Sequence, residues 1–186
     1  IPDFRIVQAS PELLALHPEG RDLGPLPLFA SRKIEHVQEF SISHLDDVDV
    51  ILQRDVLAFD WWIHNGDRTL TTLSGNPNLL WDTDAHKLVV IDHNLAFESD
   101  FDPGLFSETH VFSGKIPSLH QDIIESQRLS EKCKQALEVW TDACETIPPE
   151  WWFVDEEQTV PTDLDPAVAF AVLNRYTDKE FWRMTP

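Results

Sequence analysis

Residues 60–97 read DWWIHNGDRTLTTLSGNPNLLWDTDAHKLVVIDHNLAF, and the fold turns on them. Two short apolar runs, 79–81 and 87–91, flank Asp82-Thr83-Asp84-Ala85-His86, whose polar turn chemistry predicts a β-hairpin. Closing that hairpin carries Asn78, at the mouth of the first strand, toward Asp92 at the end of the second. Asp67 and Arg68 precede both on a loop over residues 65–75, where Gly66 and Gly75 give the backbone freedom.

Upstream of this stretch the pattern is helical. Leu52, Val56, Phe59 and Ile63 repeat at four, three and four residues, with Arg54 and Asp55 on the opposite face and Asp49 placed to cap the start. This predicts a central helix beneath the loop, with Trp61 and Trp62 at its end as core and wall. Residues 1–33 read as extended segments and loops. Ile6 and Val7 centre one strand, Pro11 and Pro18 break it up, residues 20–27 are turn-rich, and residues 26–34 form a further strand with Pro27 at its beginning or on an edge.

Downstream, residues 93–114 show no regular period, and Asp100, Asp102, Pro103 and Gly104 read as turn residues in a lid or a disordered segment. The remainder is helical. A short helix is expected over 119–127, then a longer one capped by Ser130, with Cys133, Ala136, Leu137, Trp140 and Cys144 on one face, ending before Pro148-Pro149. Residues 150–154 start another apolar segment, Asp165-Pro166 is an N-cap and N1 pair for a helix over 167–176, and 178–182 form a terminal turn. The expected fold class is α+β and predominantly helical, one lobe with a small hairpin.

A chain of 186 residues is one domain's worth and buries its own core without staples. The two cysteines, Cys133 and Cys144, are too far apart along one helix for a disulfide and read as buried thiols in a reducing cytoplasm. With 33 acidic against 14 basic residues and a formal charge of −19, the surface repels phosphate backbones, which argues against nucleic-acid binding. No apolar run is long enough for a bilayer, and no signal peptide is visible. The chain begins Ile1-Pro2 and not with Met, so the expectation is a fragment or trimmed segment.

An acid, an asparagine and a second acid arranged across a hairpin suit phosphoryl transfer. One group must orient the attacking hydroxyl and accept its proton, and hard oxygens must hold magnesium against nucleotide phosphates. Asp67 is the candidate for the first task, Asn78 and Asp92 for the second, and Arg68 is placed to pair with a carboxylate or a phosphate and stiffen the loop.

Residues 57–97, with LAFDWWIHNGDR, NPNLLW and LVVIDHNLAF, resemble the core of the HipA-like kinases, bacterial relatives of toxin kinases. The resemblance implies the C-terminal lobe of a protein-kinase-like fold, with ATP and Mg2+ as cofactors and a protein Ser/Thr hydroxyl as acceptor. It makes Asp67 the catalytic aspartate, Asn76 or preferably Asn78 a metal ligand, and Asp92 the counterpart of the first residue of a DFG triplet. It further implies that residues 1–33 close an N-terminal lobe, that Phe29, Ala30 and Ser31 lie on a hinge strand facing adenine, and that residues 34–186 form the helical lobe. A small DNA-binding antitoxin is the partner it implies.

The sequence departs from a protein kinase in three ways. Asn76 and Asn78 follow Asp67 by nine and eleven residues instead of five, so residues 69–75 must loop out. His93 replaces the phenylalanine of DFG. The six glycines, at 20, 24, 66, 75, 104 and 114, make no phosphate loop, and no strand lysine precedes the core, so the chain alone is expected to be inactive. Two other classes fit some of the residues. One is a degenerate kinase-like binding module. The other is a metal-dependent hydrolase using Asp60, His64, Asp67, Asp92 and His93.

Overall fold

A computed structural model describes residues 1–16, 18–24 and 26–184. The turn expected across residues 20–27 is therefore described except at Pro25. Strand β1 (Phe4–Val7) is followed by helix α1 (Pro11–Leu16), where Pro11, expected to interrupt structure, instead opens a helix behind Ser10, whose hydroxyl accepts the Leu13 N–H at 3.2 Å. A 3-10 helix, Pro18–Leu23, replaces part of the expected turn, and strand β2 (Leu28–Ser31) pairs antiparallel with β1, Ile6 opposite Phe29. Phe4 stacks on Phe29 at 5.4 Å, yet both rings stay exposed, so this two-stranded ribbon contributes little to the core.

Strand β3 (Val37–Glu39), which the sequence did not announce, leads to helix α2 (Val50–Trp62). Asp49 caps α2 as its spacing demands, its carboxylate accepting the N–H groups of Ile51 at 2.8 Å and Leu52 at 3.3 Å. The buried face differs from the expected one. Val56, Leu57, Asp60, Trp61 and Trp62 point inward, whereas Leu52 and Phe59 are partly exposed. The helix is apolar nearly all round, so its period marks the core face weakly. Arg54 and Asp55 face another helix instead of open water: Asp55 accepts from Arg128 at 2.7 Å and Lys132 at 2.6 Å. Both Trp61 and Trp62 are core residues with satisfied indoles, donating to the carbonyls of Phe181 (3.0 Å) and Leu173 (2.7 Å).

The hairpin is present as β4 (Leu79–Asp82) and β5 (Lys87–Val90), with Leu79 opposite Val90 and Asp82 opposite Lys87. Asp82 closes the turn by accepting the N–H groups of Asp84 and Ala85. β3 adds to the free edge of β4, completing a three-stranded antiparallel sheet whose Leu79, Trp81 and Val89 are buried.

The segment expected to be irregular contains helix α3 (Pro103–Thr109), with Asp102 as N-cap and Pro103 at its start, the same chemistry that opens the last long helix. Then come α4 (Ile116–Gln121), α5 (Ile123–Leu137), α6 (Trp140–Glu145) and α7 (Pro166–Asn174). The expected helix boundaries shift here. Asp122, not Ser130, caps α5; Ser130 lies inside it and accepts the Trp182 indole N–H at 2.8 Å. The long helical face breaks between Leu137 and Trp140, residues 150–154 fall in the 3-10 turn Pro149–Trp152 and a β-bridge from Phe153 to Pro161, and the last turn among the described residues is Phe181–Arg183. Asp165 caps α7 as expected. Cys133 is buried, and burial pushes its thiol up to about 12; Cys144 is half-buried, and both are free. Among the described residues, no helix is long and apolar enough to cross a membrane. The fold is α+β, with α2 at its centre under the hairpin and the loop that joins them.

Candidate functional site

The loop between α2 and β4 is built on a buried charge. Asp60, on the inner face of α2, and Arg68, on the loop, are both completely buried and meet at 2.7 Å between Nε and Oδ2. Removing two charges from water is costly unless every remaining lone pair and proton finds a partner. Here they do. Asn65 Nδ2 donates to Asp60 Oδ1 at 2.8 Å, and His110 Nε2 lies 3.0 Å from Oδ2. Burial pushes the Asp60 carboxyl up, but the His110 hydrogen bond and the Arg68 charge outweigh it and hold it below the usual carboxylate range. His110 is held below the usual imidazole range, chiefly by burial.

The five donors of the Arg68 guanidinium all face protein oxygens. Nε and Nη2 grip Asp60; Nη1 reaches the carbonyls of Asn78 (2.6 Å), Ile91 (3.1 Å) and Pro77 (3.2 Å); Nη2 also reaches that of Asp92 (3.3 Å). Of the two partners anticipated for Arg68, it takes the carboxylate, and it gathers the two ends of the hairpin mouth around itself. Asn78 and Asp92 both sit at positive φ, 48° and 53°, in the left-handed region that Asn and Asp tolerate better than most residues. The Ile91 N–H continues the ladder to Asn78 O at 3.1 Å.

Outside this buried layer lie the side chains that the sequence proposes for chemistry. Asn78 Nδ2 donates to Asp67 Oδ2 at 2.7 Å, so these two touch directly. Asp92 joins them through its backbone carbonyl on Arg68; its exposed carboxylate accepts the Asn94 N–H at 3.2 Å. Asn76 is exposed, and its amide oxygen accepts the Asn78 N–H at 3.3 Å. The long spacing between Asp67 and Asn78 is absorbed by a pinched loop: Thr69 N–H donates to Asn76 O at 3.1 Å, and the tip is tied by Thr71 and Ser74. Gly75 makes the pinch possible, because a Cβ there would sit 2.5 Å from Thr69 O.

A cavity of about 680 Å³ opens beside Asn78, walled by Leu80, Ile91, Glu39, Ser41 and Ser43 among others. Phe29, Ala30 and Ser31 are not on its wall; they lie on β2 of the separate ribbon. His93 packs edge-on against Phe59 at 5.6 Å and borders an apolar cavity of about 390 Å³ between α2 and α5.

Across residues 1–185 the chain matches the family of HipA-like kinases. It belongs to the HipA-like kinase family. No curated protein and no solved structure matches it. Membership makes this a kinase-type enzyme and implies ATP and a divalent cation as general requirements. The α+β architecture with small antiparallel sheets is consistent with a kinase-like fold.

The hydrolase arrangement is not assembled in this HipA-like kinase. Asp60 is consumed by Arg68, Asn65 and His110, while His64 stacks on Phe101 at 4.5 Å, its imidazole pushed down to about 4 by burial and the Arg175 charge. Among the described residues, no group of three His, Cys, Asp or Glu side chains could hold a metal. Sequence reasoning missed His110 and Asn65 as members of the site. One signal was available: an aspartate within the apolar run of α2 requires buried donors, and His110 is among the few histidines that could supply one.

Proposed function

We propose that this chain is the catalytic half of a kinase that transfers the γ-phosphoryl group of ATP to a protein serine or threonine hydroxyl. The observation that carries this reading is the 2.7 Å bond from Asn78 to Asp67, which places an amide and a carboxylate from opposite ends of the loop against each other. Asp67 is the group to orient the acceptor hydroxyl and take its proton. Asn78 spends its amide nitrogen on Asp67, which turns its amide oxygen the other way, and Asp92 adds an exposed carboxylate. An amide oxygen and a carboxylate are hard donors of the kind magnesium accepts, so Asn78 and Asp92 fit as its ligands. Bound there, the cation would neutralise charge on the nucleotide phosphates.

Phe29, Ala30 and Ser31 are the proposed adenine-facing strand, with residues 1–33 as the end of an N-terminal lobe. Their support is the ribbon's topology: β2 pairs only with β1, so its other edge offers unpaired backbone donors and acceptors among the described residues. An antitoxin partner and a bacterial, cytoplasmic setting rest on the family resemblance.

The test is phosphorylation by the whole protein with labelled ATP and Mg2+, followed by mass spectrometry of the acceptor. Phosphoserine or phosphothreonine is expected, lost on chelation and strongly reduced in Asp92→Asn. Full activity of folded Asp92→Asn would remove the assignment.

A further inference from the structure

His110 lies fifty residues from Asp60 in sequence, on the stretch that leaves α3. That stretch runs antiparallel to the catalytic loop: Leu70 N–H donates to Thr109 O, Val111 N–H donates to Arg68 O, both at 3.0 Å, and Thr69 and His110 form the bridge between them. The ring is held between Phe106 and Phe112, at 4.8 and 6.1 Å, and the charged groups it meets are Asp60 and Arg68.

Its protonation pattern follows from its partners. Phe112 N–H donates to Nδ1 at 3.1 Å, so Nδ1 carries no proton. The proton of a neutral ring is then on Nε2, which donates to Asp60 Oδ2 at 3.0 Å. Asp60 thus receives donors at both oxygens and cannot rotate without breaking one. The plane of Arg68 follows that of Asp60, and the carbonyls of Asn78, Ile91 and Asp92 follow Arg68.

We infer that His110 is a positioning residue for phosphoryl transfer: by fixing Asp60 it sets Arg68, and through Arg68 the backbone that presents Asn78 and Asp92. This rests on the kinase function proposed above. It also makes the stretch that leaves α3 part of the catalytic loop's support.

Two substitutions in the whole protein separate positioning from bulk. His110→Phe keeps a ring between Phe106 and Phe112 but removes both polar atoms; His110→Gln keeps an N–H able to reach Asp60. In His110→Phe, kcat should fall about 10- to 100-fold and Mg·ADP affinity, read by calorimetry, about tenfold, as for residues that orient metal ligands. His110→Gln should recover most of both, and KM for the protein acceptor should hold within about twofold. Values within about twofold of wild type in folded His110→Phe, or a His110→Gln as impaired as His110→Phe, would overturn the inference.

If His110→Phe does not fold, nitrogen NMR of the wild-type ring decides. A bare Nδ1 and a protonated Nε2 at neutral pH are expected, and the reverse tautomer or a charged ring would overturn it. A wild-type protein that binds Mg·ADP but transfers no phosphoryl group sinks the kinase reading, while the calorimetric and NMR arms still judge His110.

Discussion

Two layers of the same loop behave in opposite ways. Asp60, Asn65, Arg68 and His110 are buried and bind one another, whereas Asp67 is half-buried and Asp92 exposed, with Asn78 at the boundary between them. Both layers are polar and adjacent in sequence, Asp67 being the direct neighbour of Arg68. The difference teaches that side-chain direction, not composition, divides holding from acting. The inner layer spends its hydrogen-bonding capacity on the protein, the buried Asn65 Oδ1 excepted; in the proposed site the outer layer keeps part of its own for a ligand.

The sharpest way to break the comparison is at its inner pole. Arg68→Ala leaves Asp60 charged and buried without its cation and withdraws a donor from four carbonyls at the hairpin mouth. It should destabilise the fold by about 3–5 kcal/mol in urea unfolding. A loss below about 1 kcal/mol, the scale of a surface pair, would mean the inner layer holds nothing.

A second, smaller effect is set by pH. Burial lowers His64 and His110 below their ordinary range, so they are neutral when folded. Once pH falls below about 6.5 the unfolded chain takes up protons that the folded chain refuses, and stability must decline with falling pH. Asp60, lowered in the fold, adds its own loss only at more acidic pH, as its carboxylate is protonated. Urea midpoints should therefore be flat above about pH 7.5 and drop by pH 5.5, with the m-value unchanged. A midpoint that rises on acidification would show that these imidazoles are not buried neutral.

The smallest effect belongs to the tip of the pinched loop, whose ties run between Thr71 and Ser74. Thr71→Ala removes the tie to Ser74 O at 2.8 Å and should cost about 1 kcal/mol in thermal unfolding. Phosphorylation should stay within about twofold, because the neck between Thr69 and Asn76 is untouched. A large loss of activity there would extend the working layer into the loop.

The sequence disclosed elements whose signals are local. The hairpin was legible from a polar turn between two apolar runs, α2 from Asp49 and the apolar repeat through Leu52, Val56, Phe59 and Ile63, and α7 from Asp165-Pro166. Helix α3 carries the same Asp-Pro signature at Asp102-Pro103, but the acidic and glycine residues around it favoured a turn reading. The break between α5 and α6 falls at Glu138-Val139, where no proline or glycine marks it. β3 is three residues long and is defined by its partner β4 more than by its own pattern.

In the site, closing the hairpin brings the backbones of Asn78 and Asp92 together, as the Ile91 N–H on Asn78 O shows, whereas the contact of Asn78 with Asp67 is made by the pinch that loops out residues 69–75. The Asp60–His110 contact follows from neither, because it depends on how the chain returns after α3, and no local pattern encodes a meeting across that distance. The role of Arg68 was half visible: its charge needed a partner, but its burial and its grip on four carbonyls are properties of the packed loop.

The most direct test of the two-layer account is phosphoryl transfer by Asp67→Asn, measured beside its unfolding free energy. The substitution keeps an oxygen to accept from Asn78 but cannot take up the acceptor's proton. The account predicts a rate about 10²- to 10⁴-fold lower, with stability within about 1 kcal/mol of wild type. A folded Asp67→Asn protein that transfers phosphate at the wild-type rate, or one that unfolds as readily as Arg68→Ala, would contradict it.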